Sequence, residues 1–123
     1  MKKYKVILII FMLIYPLIGC STTTANNDSP QAMLKNNPNA DFFIMDNTVY
    51  ANAGDIDWVK QLTLKEGKIL GRINKTGVKK GFKDWNATIL DVNTAIYEFE
   101  DRKDLVVIKI DGKYIPYLKY VEG

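Results

Sequence analysis

The residue types that most often perform chemistry are scarce in this chain. Its 123 residues include no histidine and a single cysteine, Cys20. Two carboxylate pairs remain, Asp55 with Asp57 and Glu98 with Glu100. Residues two apart share one face of a strand, and paired carboxylates in a cleft serve glycosidases as acid and base. Each pair flanks an apolar residue, which is typical of the polar side of a half-buried element. The sequence therefore predicts no enzyme and no catalytic residue.

Metal and cofactor sites are also not predicted. The chain has no histidine, and its only cysteine is expected to be modified, as described below. The usual ligands of transition metals are therefore missing. Asp55 and Asp57 are not followed by the further ligands of a calcium loop. No glycine-rich phosphate loop is present.

Cys20 lies where a long apolar run ends and a threonine-rich polar run begins. Lysines occupy positions 2, 3 and 5, and the thirteen residues 6–18 carry no charge. A helix needs about 20 apolar residues to span a bilayer. The run has the length of a secretory signal core, and the basic tip is its usual flank.

The residues Leu17, Ile18, Gly19 and Cys20 resemble the lipobox of bacterial lipoproteins. That resemblance implies cleavage between Gly19 and Cys20 and attachment of a diacylglyceryl group and further acyl chains such as palmitate to Cys20. It also implies a lipid anchor in the cell membrane, with the protein on the extracellular face. The alternative is a buried structural cysteine within an uncleaved anchor.

The chain is expected to have three segments. Residues 1–19 form the lipoprotein signal peptide, which is removed, and residues 20–40 hold the lipidated cysteine and a flexible tether rich in Thr, Asn, Ser and Pro. Residues 41–123 form one small β-rich domain. The signal lysines account for the whole formal net charge of +3, so the mature chain is close to neutral and carries no basic footprint for nucleic acid.

Two short motifs, VYANAGDIDWV and IDGKYIPYLKYVEG, are similar to parts of small uncharacterised lipoproteins of low-GC Gram-positive bacteria. The resemblance covers most of residues 41–123. It implies a secreted, anchored domain and brings no catalytic residues with it.

The domain reads as mostly strand, with local hairpins at both ends. Asp46-Asn47 and Asp111-Gly112 are favoured two-residue turn pairs between β-rich runs. The first turn sets Ile44 opposite Val49 and Phe43 opposite Tyr50. The second sets Ile108 opposite Ile115 and Val106 opposite Tyr117, and Pro116 makes the last strand an edge at that point or places a bulge there.

Between the hairpins, Asp55 is expected to cap a short helix of two turns over residues 56–62, or only a single turn. Gly71 lies inside a strand pattern, which indicates a bulge or close packing. With about six strands and no alternating strand–helix rhythm, the predicted fold is mainly β, with α+β at the margin. It is a small antiparallel sheet or a partly open SH3-like or OB-like barrel with one short helix.

Aromatic residues supply the candidate interaction residues Trp85, Phe82 and Trp58, because aromatic side chains anchor interfaces and stack on sugar rings. Trp85 is the first of these, since its loop neighbours are polar. The alternative is that these rings belong to the core or its rim. The lysine cluster at residues 79–83 could touch anionic lipid or a teichoic polymer, or could be a solvated loop.

Two function classes follow. The first is a surface-anchored module that binds a protein or wall polymer, and the alternative is a lipoprotein that binds a small ligand or an ion. An exposed aromatic patch favours the first, and a pocket with converging polar groups favours the second.

Overall fold

The computed structural model describes residues 29–120, which contain two short helices and six strands. In chain order these are α1 (Ser29–Asn36), β1 (Phe42–Met45), β2 (Thr48–Asn52), α2 (Asp57–Lys60), β3 (Ile69–Arg72), β4 (Ala95–Glu98), β5 (Leu105–Ile110) and β6 (Lys113–Lys119). The signal segment 1–19, Cys20 and residues 21–28 lie outside the described residues. Neither described helix is long and apolar enough to cross a membrane.

The six strands form one antiparallel sheet in the order β1-β2-β6-β5-β4-β3, curled into a half-barrel. The predicted fold class is thereby confirmed. Both hairpin registers are also confirmed, with Ile44 paired with Val49 and Ile108 paired with Ile115. All four turn residues have positive φ, as the two-residue turns require.

The final strand, β6, lies between β5 and β2 over its second half, whereas over its first half only β5 pairs with it. β2 pairs with β6 only from Tyr117 onward. Just before that point, the Ala53 N–H donates to the Pro116 carbonyl, 2.9 Å away. Pro116 itself is therefore not an open edge, since its outward carbonyl accepts this hydrogen bond, and the side without a strand partner in the described residues begins at Tyr114.

The two edge strands are connected by the segment 85–88. On one side, the Trp85 N–H donates to the Ile44 carbonyl of β1 at 2.6 Å, and the Thr88 N–H donates to the Phe42 carbonyl at 3.0 Å. On the other side, the Ala87 N–H donates to the carbonyl of Lys75, shortly after β3, at 2.8 Å. Backbone hydrogen bonds thus cross the gap that the curled sheet leaves between β1 and β3.

Both faces of the sheet are covered, which explains strands that read as continuous apolar runs. Residues 105–108 of β5 are all buried. Val106 and Ile108 face the main core, and Leu105 and Val107 face a second cluster under α2. A third cluster joins Phe42, Ile44 and Val49 beneath α1.

α1 lies within the segment predicted to be a flexible tether, so the structure differs from the sequence expectation over residues 29–36. Its Met33 and Leu34 pack against the third cluster. Two apolar side chains were too few to indicate a helix from the sequence, and their burial depends on the outer face of β1 and β2.

α2 has four residues and begins after Ile56, with no side-chain capping hydrogen bond. The prediction that Asp55 caps it is therefore wrong, and of the two predicted lengths the single turn is the one present. Its buried residue, Val59, packs against the second cluster, so tertiary contact holds this single turn in place of a cap.

Candidate functional site

Trp85 lies at the rim of the main core. Its side chain is half-buried and packs against the main cluster. Its ring lies over Gly71 of β3 so closely that a Cβ at Gly71 would come within 2.5 Å of the indole. A bulge separates Ile69 from Gly71 in the β3–β4 pairing. Both consequences expected of this glycine, the bulge and the close packing, are therefore present.

Phe82 is half-buried beneath the third cluster. Its ring centroid lies 5.5 Å from that of Phe42, and it packs against the same residues as Met33 and Leu34 of α1. The contacts of Phe82 are therefore those of a residue that fixes its loop to the domain.

Trp58 is the most exposed of the three candidates, with 42% of its surface accessible. The guanidinium carbon of Arg102 lies 4.4 Å from the ring centroid, a cation–π distance. Arg102 donates two hydrogen bonds to the Asp104 carboxylate, at 3.0 and 2.9 Å. These bonds hold the pKa of Asp104 below its usual value and raise that of Arg102. Trp58 therefore sits in a surface patch whose charged neighbours are ordered.

The three aromatic candidates do not form one surface. Trp85 contacts the main core and Phe82 the third cluster, while Trp58 precedes Val59 of the second cluster. An interaction role for each stays a prediction, and Trp58 has the exposure that such a role requires.

The carboxylate pairs do not converge on a cleft. Asp55, just before α2, and Asp57, its first residue, are both exposed. Glu98 forms an ion pair with Lys103 at 3.2 Å, and Glu100 lines a depression of about 100 Å³. Among residues 29–120, no group of three potential ligands could hold a metal ion.

A shallow groove of about 290 Å³ lies between α2 with its following segment and the first half of β6. The residues that line it are Gly54, Val59, Lys60, Leu62, Leu64, Tyr114, Ile115 and Pro116. The sequence did not indicate this groove. Leu62 and Leu64 form one wall and the first half of β6 forms the other, and these segments are far apart in the chain.

The polar groups of this groove are few. The Tyr114 hydroxyl donates to a carboxylate oxygen of Glu66 at 3.1 Å, and Lys109 lies 3.6 Å from the same oxygen. That hydroxyl is therefore already occupied, and Lys60 supplies the only charged side chain of the described lining.

A hydrogen-bonded pair of the buried Tyr117 and the half-buried Asp41 joins β6 to the residue before β1. The Tyr117 hydroxyl donates to Asp41, 2.8 Å from each carboxylate oxygen, and Asn52 donates to the same carboxylate at 2.9 Å. Burial, and then the charge of Asp41, raises the pKa of Tyr117 well above its usual value. The pair stabilises the protonated tyrosine, so we assign it a structural role.

No protein-family model matches the chain, and neither a curated protein nor a solved structure is significantly similar to it.

Proposed function

We propose that the chain is a lipid-anchored interaction module on the extracellular face of the cell membrane, and that its groove binds an extended protein segment. The anchor is supported by the lipobox-like residues before Cys20, with their basic and apolar flanks. The observation that carries the binding role is an apolar groove beside an unpaired strand edge.

The unpaired edge follows from the hairpin geometry of β6. In a two-residue hairpin the residues next to the turn bond across it, and bonding direction alternates along the strand. Lys113 and Ile115 therefore direct their backbone groups toward β5, and Tyr114 directs its own the other way. Within residues 29–120, no strand pairs with Tyr114 on that side. An added strand would find its backbone partner there and a pocket for an apolar side chain beside it.

A small-ligand role is the second candidate. The groove volume is close to the lower end of ligand pockets, about 300–1,000 Å³. Such pockets place several polar groups toward the ligand, whereas the Tyr114 hydroxyl is bound to Glu66. The groove chemistry therefore favours the protein partner over the small ligand.

Photo-crosslinking in producing cells tests the proposal. A photoreactive amino acid in place of Lys60, at the groove, should capture one protein reproducibly. The same amino acid in place of Lys119, which is also exposed but lies at the other end of β6, should not. A fatty-acid probe should label both proteins, and Cys20→Ala should abolish this labelling. Identical products from the two positions would contradict the groove, and continued labelling of Cys20→Ala would contradict the anchor.

A further inference from the structure

Charge is distributed unevenly along this nearly neutral chain. Residues 67–83 hold six basic residues and no acidic one. From Cys20 onward, the rest of the chain holds eight basic residues against fourteen acidic ones. A positive segment of this kind creates a local potential that the net charge conceals.

Four of the six cations belong to one ordered loop, residues 75–83, here called the basic loop. Its exposed lysines are Lys75, Lys79, Lys80 and Lys83. Its apolar residues point the other way, since Val78 is 6% exposed and Phe82 packs on the third cluster. The loop thus presents its charges outward.

Hydrogen bonds hold the basic loop at its middle and at its end. The Val78 N–H donates to the Ala87 carbonyl at 3.1 Å, and the Lys83 N–H donates to the Asn86 side-chain oxygen at 2.9 Å. Gly77 and Gly81 take positive φ, which allows the two bends. Ordering the loop in advance lowers the entropy lost when its lysines bind.

No side chain in residues 29–120 forms an ion pair with these four lysines. The neighbouring carboxylate, Asp84, accepts hydrogen bonds from the Asp46 and Asn47 amides at 3.1 and 2.8 Å. Asp46 is the other acidic residue at this turn, and it is exposed. The cations of the loop outnumber these two carboxylates.

The anchor would hold this loop close to the membrane. α1 begins nine residues after Cys20, and nine residues span at most about 30 Å when fully extended. α1 and Phe82 of the basic loop pack on the same cluster, so the chain enters the domain beside the loop.

We propose that the basic loop binds the anionic phospholipid headgroups of the membrane in which the chain is anchored. The inference rests on the proposed lipid anchor. The short segment between Cys20 and α1 favours headgroups over a wall polyanion, because it keeps the loop within reach of the anionic bilayer surface. A polybasic patch is a recognised second signal beside an acyl chain.

Vesicles carrying the mature acylated protein test the proposal. The chain has one cysteine, which the lipid would occupy, so a cysteine introduced at Thr76 can carry an environment-sensitive fluorophore. With phosphatidylglycerol in phosphatidylcholine we expect a blue-shifted, brighter signal, and with phosphatidylcholine alone no such change. A fluorophore at Thr63→Cys, outside the loop, should not respond.

Matched charge variants identify the responsible lysines. Lys79→Gln/Lys80→Gln/Lys83→Gln should abolish the response, and Lys65→Gln/Lys103→Gln/Lys113→Gln, with the same net charge and outside both the loop and the groove, should keep it. Loss of three surface-bound lysines corresponds to about 100-fold weaker attraction to an anionic surface. Equal signals on both lipid compositions, equal loss in both variants, or a response only to soluble poly(glycerol phosphate) would overturn the proposal.

The anchor and the loop can fail separately. Mass spectrometry of Cys20 reports acylation independently of the fluorophore. If Cys20 carries no lipid, co-sedimentation of the same variants with anionic vesicles measures the loop alone: lysine-dependent sedimentation supports headgroup binding, and its absence overturns it.

Discussion

Trp85 has a backbone conformation that bulky residues rarely adopt, with φ at +70°. The left-handed region costs an L-residue roughly 1–2 kcal/mol. Two backbone hydrogen bonds hold it there: the Trp85 N–H donates to the Ile44 carbonyl, and the Trp85 carbonyl accepts from the Asn74 N–H. The conformation places the ring over Gly71, so residue type at 71 and residue type at 85 depend on each other.

Gly71→Ala should lower the free energy of unfolding by about 1–3 kcal/mol, as overpacking substitutions do. The reason is that the new Cβ would lie 2.5 Å from the indole. In a Trp85→Ala background the same change should cost little, since the ring is gone. Urea denaturation of the four proteins measures the coupling.

Trp85→Ala alone should cost about 3 kcal/mol, the low end for aromatic truncations. Strictly additive effects in the cycle would mean that the ring does not rest on Gly71. An unchanged stability in Trp85→Ala would instead support the interface role that its polar neighbours predict.

Tyr117 makes the free energy of unfolding depend on pH in the alkaline range. Its pKa is raised in the folded protein, while a tyrosine of the unfolded chain has a pKa of about 10. Below that value both states hold the proton and the contribution is fully present. Above it only the unfolded chain releases the proton, so the free energy of unfolding falls by about 1.4 kcal/mol per pH unit.

Tyr117→Phe should remove this part of the slope, and should also lower stability at neutral pH because Asp41 loses a donor. Urea denaturation between about pH 8 and 11 measures both effects. Tyr120→Phe, at an exposed position, is the matched control and should leave the slope as it is. An identical slope in both variants would show that Tyr117 ionises as freely in the folded protein as in the unfolded chain.

At the scale of elements, α1 gains its stability from docking. Eight residues are too few for an isolated helix in water. The helix covers Phe42, Ile44 and Val49, which are all at least 94% buried. The folded unit therefore includes residues that composition alone assigned to a tether.

Met33→Ala/Leu34→Ala should lower the melting temperature of the protein by roughly 8 °C or more. Each truncation of a half-buried side chain costs about 1 kcal/mol or more, and each kcal/mol moves the midpoint of a domain this small by about 4–8 °C. Gln31→Ala/Lys35→Ala, at exposed positions of the same helix, controls for helix propensity. Equal midpoints in circular dichroism melts would show that α1 is not docked.

At the scale of the whole molecule, the two proposed binding surfaces lie at opposite ends of the sheet. Asp84, just after the basic loop, binds the β1–β2 turn. The groove lies next to the β5–β6 turn. Since β2 and β6 are antiparallel and each begins directly after its turn, the two turns lie at opposite ends of the sheet. A domain resting on the membrane through the loop would therefore leave the groove free for a partner.

The amino-acid sequence by itself determined the mainly β fold and both hairpin registers. Turn pairs such as Asp111-Gly112 act locally, and a two-residue loop leaves one way to align its flanking strands. Gly71 was also informative alone, because a glycine inside a strand pattern has few explanations. The lipobox-like residues are equally local, and the lipid anchor they predict stays a prediction.

Only the tertiary structure decided where α1, Trp85 and the groove belong. Their partners are distant in the chain: the Asp84 carboxylate, for example, lies 38 residues from the Asp46 amide that it binds. The polar neighbours of Trp85 predicted an interaction residue, with a place at the rim of the core as the alternative, and only the curling of the sheet, which brings β1 and β3 to either side of the residue, decides that its ring is half-buried. Their burial depends on the curled sheet and on contacts between distant parts of the chain, so no local pattern around these residues could reveal it.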